Sequence, residues 1–212
     1  MSEYTDENIM PVNTNVSEYA FFTEKECDEI KQYCYDIEKK LIDDGFDKNS
    51  GHESLGDVVT TVNYFRYNFF ADHPSYADRL VECLYKTNRY LEWPIVCQSW
   101  VYHKGQGIGW HNHQGTMGRS FSANIFIDGP TKPGITFKQF GEKAKVFENK
   151  KGTIQIFPCE LMHMVPETKE ERITIGITLH SYPSVTKGLI NQLAFNSRDY
   201  KGSIILTKEY YG

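Results

Sequence analysis

The chain has 212 residues, enough for one domain with a substantial buried core. Apolar residues make up 40% and aromatic residues 14%, a globular composition whose aromatic share leans towards β structure. The net charge is -5, and the densest basic cluster (Lys143, Lys145, Lys150, Lys151) is broken by Glu142 and Glu148, so no nucleic-acid or anionic-membrane footprint is expected.

The opening MSEYTDENIMPVN lacks the charged-then-apolar pattern of a secretory signal, and no apolar run is long enough to span a bilayer. Cysteines 27, 34, 83, 97 and 159 form no CxxC pair; their odd number and wide spacing predict reduced thiols in a cytoplasmic protein. Residues 1–20 are polar and predict a loosely held lead-in strand. Thr23 and Glu26 have capping-box spacing. Behind them Ile30, Tyr33, Cys34, Ile37 and Leu41 recur on one helical face, which ends near Gly45. Residues 46–57 read as a loop. Val58–Phe70, rich in β-branched and aromatic residues, predicts a strand. Ser75–Leu91 predicts a second helix, with Pro74 at its start and Pro94 beyond its end.

From Pro94 to His180 short apolar runs alternate with Gly, Pro and Asn breaks: IVCQSWVYH, GQGIGWHNH, SFSANIFID, ITFKQF, GTIQIF, RITIGITLH. Strands this short and closely spaced predict an antiparallel sandwich or barrel. Residues 184–212 predict one more hairpin or edge strand. No internal repeat or linker divides the chain, so residues 1–212 are expected to form a single domain.

Seven histidines stand at 52, 73, 103, 111, 113, 163 and 180. On a strand, the spacing of His111 and His113 points both imidazoles to one face, where they can ligate a single first-row metal. A third ligand must come from a neighbouring strand, and His163, after the run GTIQIF, is the candidate. Arg172 opens the next strand. If its side chain turns inward, a buried guanidinium needs an anionic partner, which a dicarboxylate would supply through a bidentate pair. The bland alternatives are a surface or core HxH and an ordinary salt bridge. Ser122, Asn124 and Phe126 alternate on one strand and would line a pocket if they face inward. Trp110, beside His111, would pack against the site or plug the barrel mouth. His103 and His180 are expected in structural or exposed roles.

The ordered set resembles the 2-oxoglutarate and Fe(II)-dependent oxygenase superfamily, in its prolyl-4-hydroxylase-like branch. Tyr102-His103-Lys104-Gly105 precedes His111; Gly134-Ile135-Thr136-Phe137, Gly152, Phe157-Pro158, His163 and Arg172 follow. A bacterial group of oxygenases with an H-x-H pair is more similar still, through His163-Met164-Val165-Pro166 and Arg172-Ile173-Thr174-Ile175. The resemblance covers roughly residues 95–182. It implies a mainly β fold with flanking helices: a double-stranded β-helix (a jelly roll, or cupin-like barrel) over 95–182, with helices and supporting strands at 1–94 and an extension at 183–212. It implies Fe(II) held by His111, His113 and His163, and 2-oxoglutarate held by Arg172, Thr174 and Tyr102. It also implies O2 as oxidant, coupling oxidative decarboxylation to hydroxylation of a substrate bound near Ser122, Asn124 and Trp110.

His113 stands where most of the superfamily has Asp or Glu. Three neutral imidazoles leave a bound metal one unit more positive than two imidazoles and a carboxylate, and they suit zinc, nickel or copper as well as iron. Two other readings therefore stay open at the sequence level. One is a three-His cupin-like dioxygenase that needs no keto acid. The other is a non-enzymatic jelly-roll binding module. The substrate, small molecule or peptidyl, is not legible, and a monomer or homodimer is expected.

Overall fold

The computed structural model describes residues 16–43, 59–60, 67–91, 94–103, 107–113, 119–139, 141, 143–181 and 204–206. The expected loop at 46–57 lies outside them. So do most of the expected C-terminal segment and the middle of the expected strand over Val58–Phe70.

Strand β1 (Ser17–Ala20) leads into helix α1 (Glu24–Asp43). The capping box forms as the spacing predicts. The Thr23 N–H donates to Glu26 Oε2 at 2.8 Å, and the Glu26 N–H donates to Thr23 Oγ1 at 3.2 Å. Strand β2 is described at Val59–Thr60. Phe69 and Phe70 are not strand residues but begin a one-turn helix, α2 (Phe69–Asp72). The cause is Asn68, whose side chain accepts the Phe70 N–H at 3.0 Å and whose amide donates to Cys97 O at 2.9 Å. Such a cap competes successfully with β propensity, and both phenyl rings are buried. Helix α3 (Ser75–Thr87) stops short of the expected Leu91. Asn88 ends it by accepting the Tyr90 N–H, which starts a turn.

The remaining strands are β3 (Ile95–His103), β4 (Ile108–His111), β5 (Arg119–Asp128), β6 (Ile135–Lys138), β7 (Lys145–Phe147), β8 (Thr153–Pro158), β9 (Met162–Val165), β10 (Ile173–Ser181) and β11 (Ile204–Leu206). Among the described residues they form two antiparallel sheets. The larger runs β1-β8-β5-β10-β3-β11, with β2 also on β3; the smaller runs β4-β9-β6-β7. This is the double-stranded β-helix, with its helices on the outer face of the larger sheet. Strands β7 and β9 lie where no strand was expected. β7 falls in the charged stretch, and β9 contains His163.

The alternation on β10 divides inside from outside. Ile173, Ile175, Ile177 and Leu179 join Cys27, Ile30 and Cys34 of α1 and Leu80 and Leu84 of α3 in one core under the helices. Thr174, Gly176, Thr178 and His180 therefore face the interior between the sheets. The register carries this across the sheet: Thr174 pairs with Tyr102 and Phe126, Gly176 with Trp100 and Asn124, and Thr178 with Gln98 and Ser122. A second, smaller cluster joins the sheets, with Ile135 and Phe137 of β6 against Phe157 of β8 and Leu161. At the turn before β8, Gly152 has φ 75, and its carbonyl accepts the N–H groups of Phe21 and Phe22. A Cβ there would sit 2.2 Å from Phe22 O, so only glycine fits. All five cysteines are buried, and none is in a disulfide. No helix among the described residues is long and apolar enough to cross a membrane.

Candidate metal centre

His111 closes β4 and pairs directly with His163 of β9. His113 lies beyond the end of β4, so the strand alternation does not aim it. Its place is set instead by a backbone bond, N–H to Cys159 O at 2.8 Å, which ties it to the end of β8. The ligating atoms of the three side chains lie within 4.8 Å of one another. Ring centroids are 4.1 Å apart for His111 and His163, 5.1 Å for His113 and His163, and 5.2 Å for His111 and His113.

Two of the rings are oriented by their own backbone. His111 Nδ1 lies 2.8 Å from Gly109 O, and His163 Nδ1 lies 2.9 Å from Leu161 O. A carbonyl oxygen only accepts, so each Nδ1 carries a proton, and in the neutral ring that leaves the lone pair on Nε2, the tautomer a metal ligand requires. Burial holds the His163 pKa down, to about 3, with the neighbouring His111 adding to the effect. The His113 pKa falls to about 4, from burial first and then the charges of His111 and His180. Both imidazoles are thus neutral at pH 7. His163 is only 5% exposed and rests on Phe157, ring centroids 4.8 Å apart.

Arg172 is 4% exposed, and burial lowers its pKa. Its Nη1 donates to Pro166 O at 3.0 Å, just past the end of β9, so the guanidinium bridges from the larger sheet to the smaller. Thr174 and Tyr102 face each other across β10 and β3 on the interior wall. Burial pushes the Tyr102 phenol well above its ordinary pKa, so it remains a neutral donor. Ser122, buried, and Asn124, half-buried, lie on the same wall. Trp110 is 44% exposed. His180 is buried, the structural rather than the exposed of the two places expected for it, and its charge acts on His113. The alternation along β10 would have placed it inside. The same alternation, two residues back from Tyr102, would have placed Trp100 inside.

The fold and the arrangement of these side chains define a double-stranded β-helix of the kind found in 2-oxoglutarate-dependent oxygenases. Among solved structures the chain is similar to a prolyl-4-hydroxylase from Pseudomonas putida, at 14% identity and a TM-score of 0.58 over 80% of this chain and 94% of that one. It is similar also to SnoK, a non-heme alpha-ketoglutarate-dependent carbocyclase of nogalamycin biosynthesis, at 11% identity and a TM-score of 0.59 over 92% and 93% of the two chains. HygX from Streptomyces hygroscopicus, solved with iron bound, matches at 10% identity and a TM-score of 0.52, over 79% and 82%. At these identities the likeness is one of fold. No protein-family model matches the chain, and no curated protein matches it in sequence.

Proposed function

We propose that the chain is a 2-oxoglutarate-dependent Fe(II) oxygenase, a member of the superfamily it resembles, that hydroxylates a substrate not yet identified. The observation that carries this reading is the convergence of three imidazoles from separate chain segments, two with Nε2 freed for a ligand, in a fold shared with iron oxygenases. The donor set fits a first-row divalent metal, because imidazole binds iron as well as zinc, copper or nickel. His111, His113 and His163 would hold it. Bound Fe(II), with 2-oxoglutarate and O2, supplies an oxidant strong enough to attack an unactivated C–H bond.

The chain's own residues bind and orient. Arg172 would receive the far carboxylate of 2-oxoglutarate in a charge-assisted pair, with the Thr174 hydroxyl and the Tyr102 phenol as further donors. Ser122, Asn124 and Trp110 are the proposed substrate contacts. The buried wall of β10 would back the reacting centre on one side.

The test is anaerobic addition of Fe(II) and 2-oxoglutarate. A weak visible charge-transfer band should appear and be lost in His163→Ala and Arg172→Ala. In air, 2-oxoglutarate should be converted to succinate. Wild-type protein that binds iron but shows neither band nor 2-oxoglutarate loss would overturn the reading. His113 itself favours one other reading, a three-His dioxygenase that uses no keto acid. Oxygen uptake indifferent to 2-oxoglutarate would select it.

A further inference from the structure

Two buried polar atoms on the interior wall meet no hydrogen-bond partner among the described residues: Trp100 Nε1 and Ser122 Oγ. An indole N–H only donates, so it needs an acceptor. A buried donor left unanswered keeps the cost of its desolvation, which makes such an atom a marker for something that answers it. The Tyr102 hydroxyl lies near enough for the indole to affect its ionisation, but not in hydrogen-bond geometry.

The position of Trp100 is built into the sheet. Trp100 lies directly across from Gly176. A Cβ at 176 would stand 2.5 Å from Trp100 Nε1 and 2.8 Å from Tyr102 Cε2, so the absence of a side chain there is what lets the indole lie over the wall. Arg172 stands four residues before Gly176, and His180, whose charge acts on His113, four residues after it. About 13 Å of strand separates Arg172 from Gly176. That is roughly the reach of an arginine side chain laid end to end with a five-carbon diacid. A ligand held at one end by the guanidinium and at the other by a metal on the three histidines would lie along this interior wall, on which Gly176 and Trp100 face each other. Ser122 lies one row further on, paired with Thr178 and with Phe157, whose ring touches His163.

From this placement we infer that Trp100 is a 2-oxoglutarate-binding residue, its indole N–H donating to an oxygen of the cosubstrate between Arg172 and the metal ligands. The inference rests on the oxygenase reading above. Trp100 adds a donor fixed by the close approach of Gly176 to those of Arg172, Thr174 and Tyr102.

The experiment uses full-length protein loaded with Zn(II), which is redox-inert and diamagnetic, so 2-oxoglutarate is bound and not consumed. Calorimetric titration with 2-oxoglutarate should give saturable binding to the wild type. Trp100→Phe keeps one six-membered aromatic ring and loses the five-membered ring with its N–H; it should weaken that binding roughly ten- to a hundredfold, the worth of one hydrogen bond to a charged group. Gly176→Ala, which displaces the indole, should weaken it similarly. The Trp100 indole resonance, identified by its absence in Trp100→Phe among the three tryptophan signals, should move downfield on titration. Wild-type affinity in Trp100→Phe would overturn the inference and leave the oxygenase reading standing. Zinc-loaded wild type that takes up no 2-oxoglutarate would overturn both.

Discussion

At the scale of single residues, the proposed centre turns on what three imidazole ligands, which bring no charge of their own to a metal, would do to the charge of a bound cation. His113 and His163 are neutral well below pH 7 because burial denies them protons, so metal does not have to displace protons from them at neutral pH. The same neutrality leaves the cation's charge uncompensated, and imidazole sets favour copper and zinc over iron in the usual order. His113→Asp is therefore expected to keep metal while moving selectivity towards iron and manganese. His113→Ala, with a ligand removed, should lose more than about a hundredfold in affinity, since losing an outer-shell partner alone costs ten- to a hundredfold. Metal titration of the two variants and the wild type reads both effects. Equal iron affinity in His113→Ala and wild type would remove His113 from the centre. The ligand candidates were legible in the sequence because only a few residue types can hold a metal and HxH is a short motif. Trp100 was not, because an interior tryptophan on a strand resembles any core aromatic until its N–H is seen to lack a partner.

At the scale of elements, local chemistry decided most boundaries. Thr23 and Glu26 announce the start of α1, and the box they form is tightened from a distance by Arg79 of α3. Arg79 Nη2 meets Glu26 Oε1 at 2.8 Å, and Nη1 donates to Phe21 O at 2.6 Å. The Arg79 hydrogen bond, followed by the Thr23 N–H, holds the Glu26 carboxyl down from 4.5 to about 2. The folded state thus favours the ionised carboxylate. Its contribution is complete above pH 4.5 and is lost as pH falls from there towards 2. Glu26→Gln should lower the melting temperature at pH 7, and the gap from wild type should close between pH 4.5 and 2. A gap constant with pH would mean that the carboxylate charge does not stabilise the helix junction. Other elements were less legible, each for its own reason. The strand expected through Phe70 gave way at Asn68, because a buried amide that satisfies Phe70 N–H, Cys97 O and Ser99 Oγ outweighs the β preference of its neighbours. Strand β9 was hidden because MHMV shows no alternation; its pairing with β4 and β6 is tertiary.

At the scale of the whole molecule, the two sheets carry different halves of the proposed chemistry. The proposed metal ligands belong to the smaller sheet and the segment that follows β4, whereas Thr174, Tyr102 and Trp100 stand on the larger one and Arg172 directly precedes its strand β10. The sheets are joined by few apolar contacts compared with the core under the helices. The aromatic seam among those contacts runs Phe137 to Phe157, centroids 4.9 Å apart, and Phe157 to His163 at 4.8 Å. Phe157 thus packs the sheets together and backs a ligand ring at once. Phe157→Ala should cost about 3–5 kcal/mol of stability by opening a cavity, and it should also weaken metal binding by freeing the His163 ring. Ile175→Ala removes a comparably buried side chain on the opposite face of the same sheet. It should cost about 2–5 kcal/mol and leave the affinity of the folded protein for metal unchanged. Denaturant unfolding together with metal titration separates the two cases. If Phe157→Ala lost stability but bound metal as tightly as Ile175→Ala, the histidines would owe their geometry to their own backbone bonds at Gly109, Leu161 and Cys159, and the seam would be a matter of stability alone.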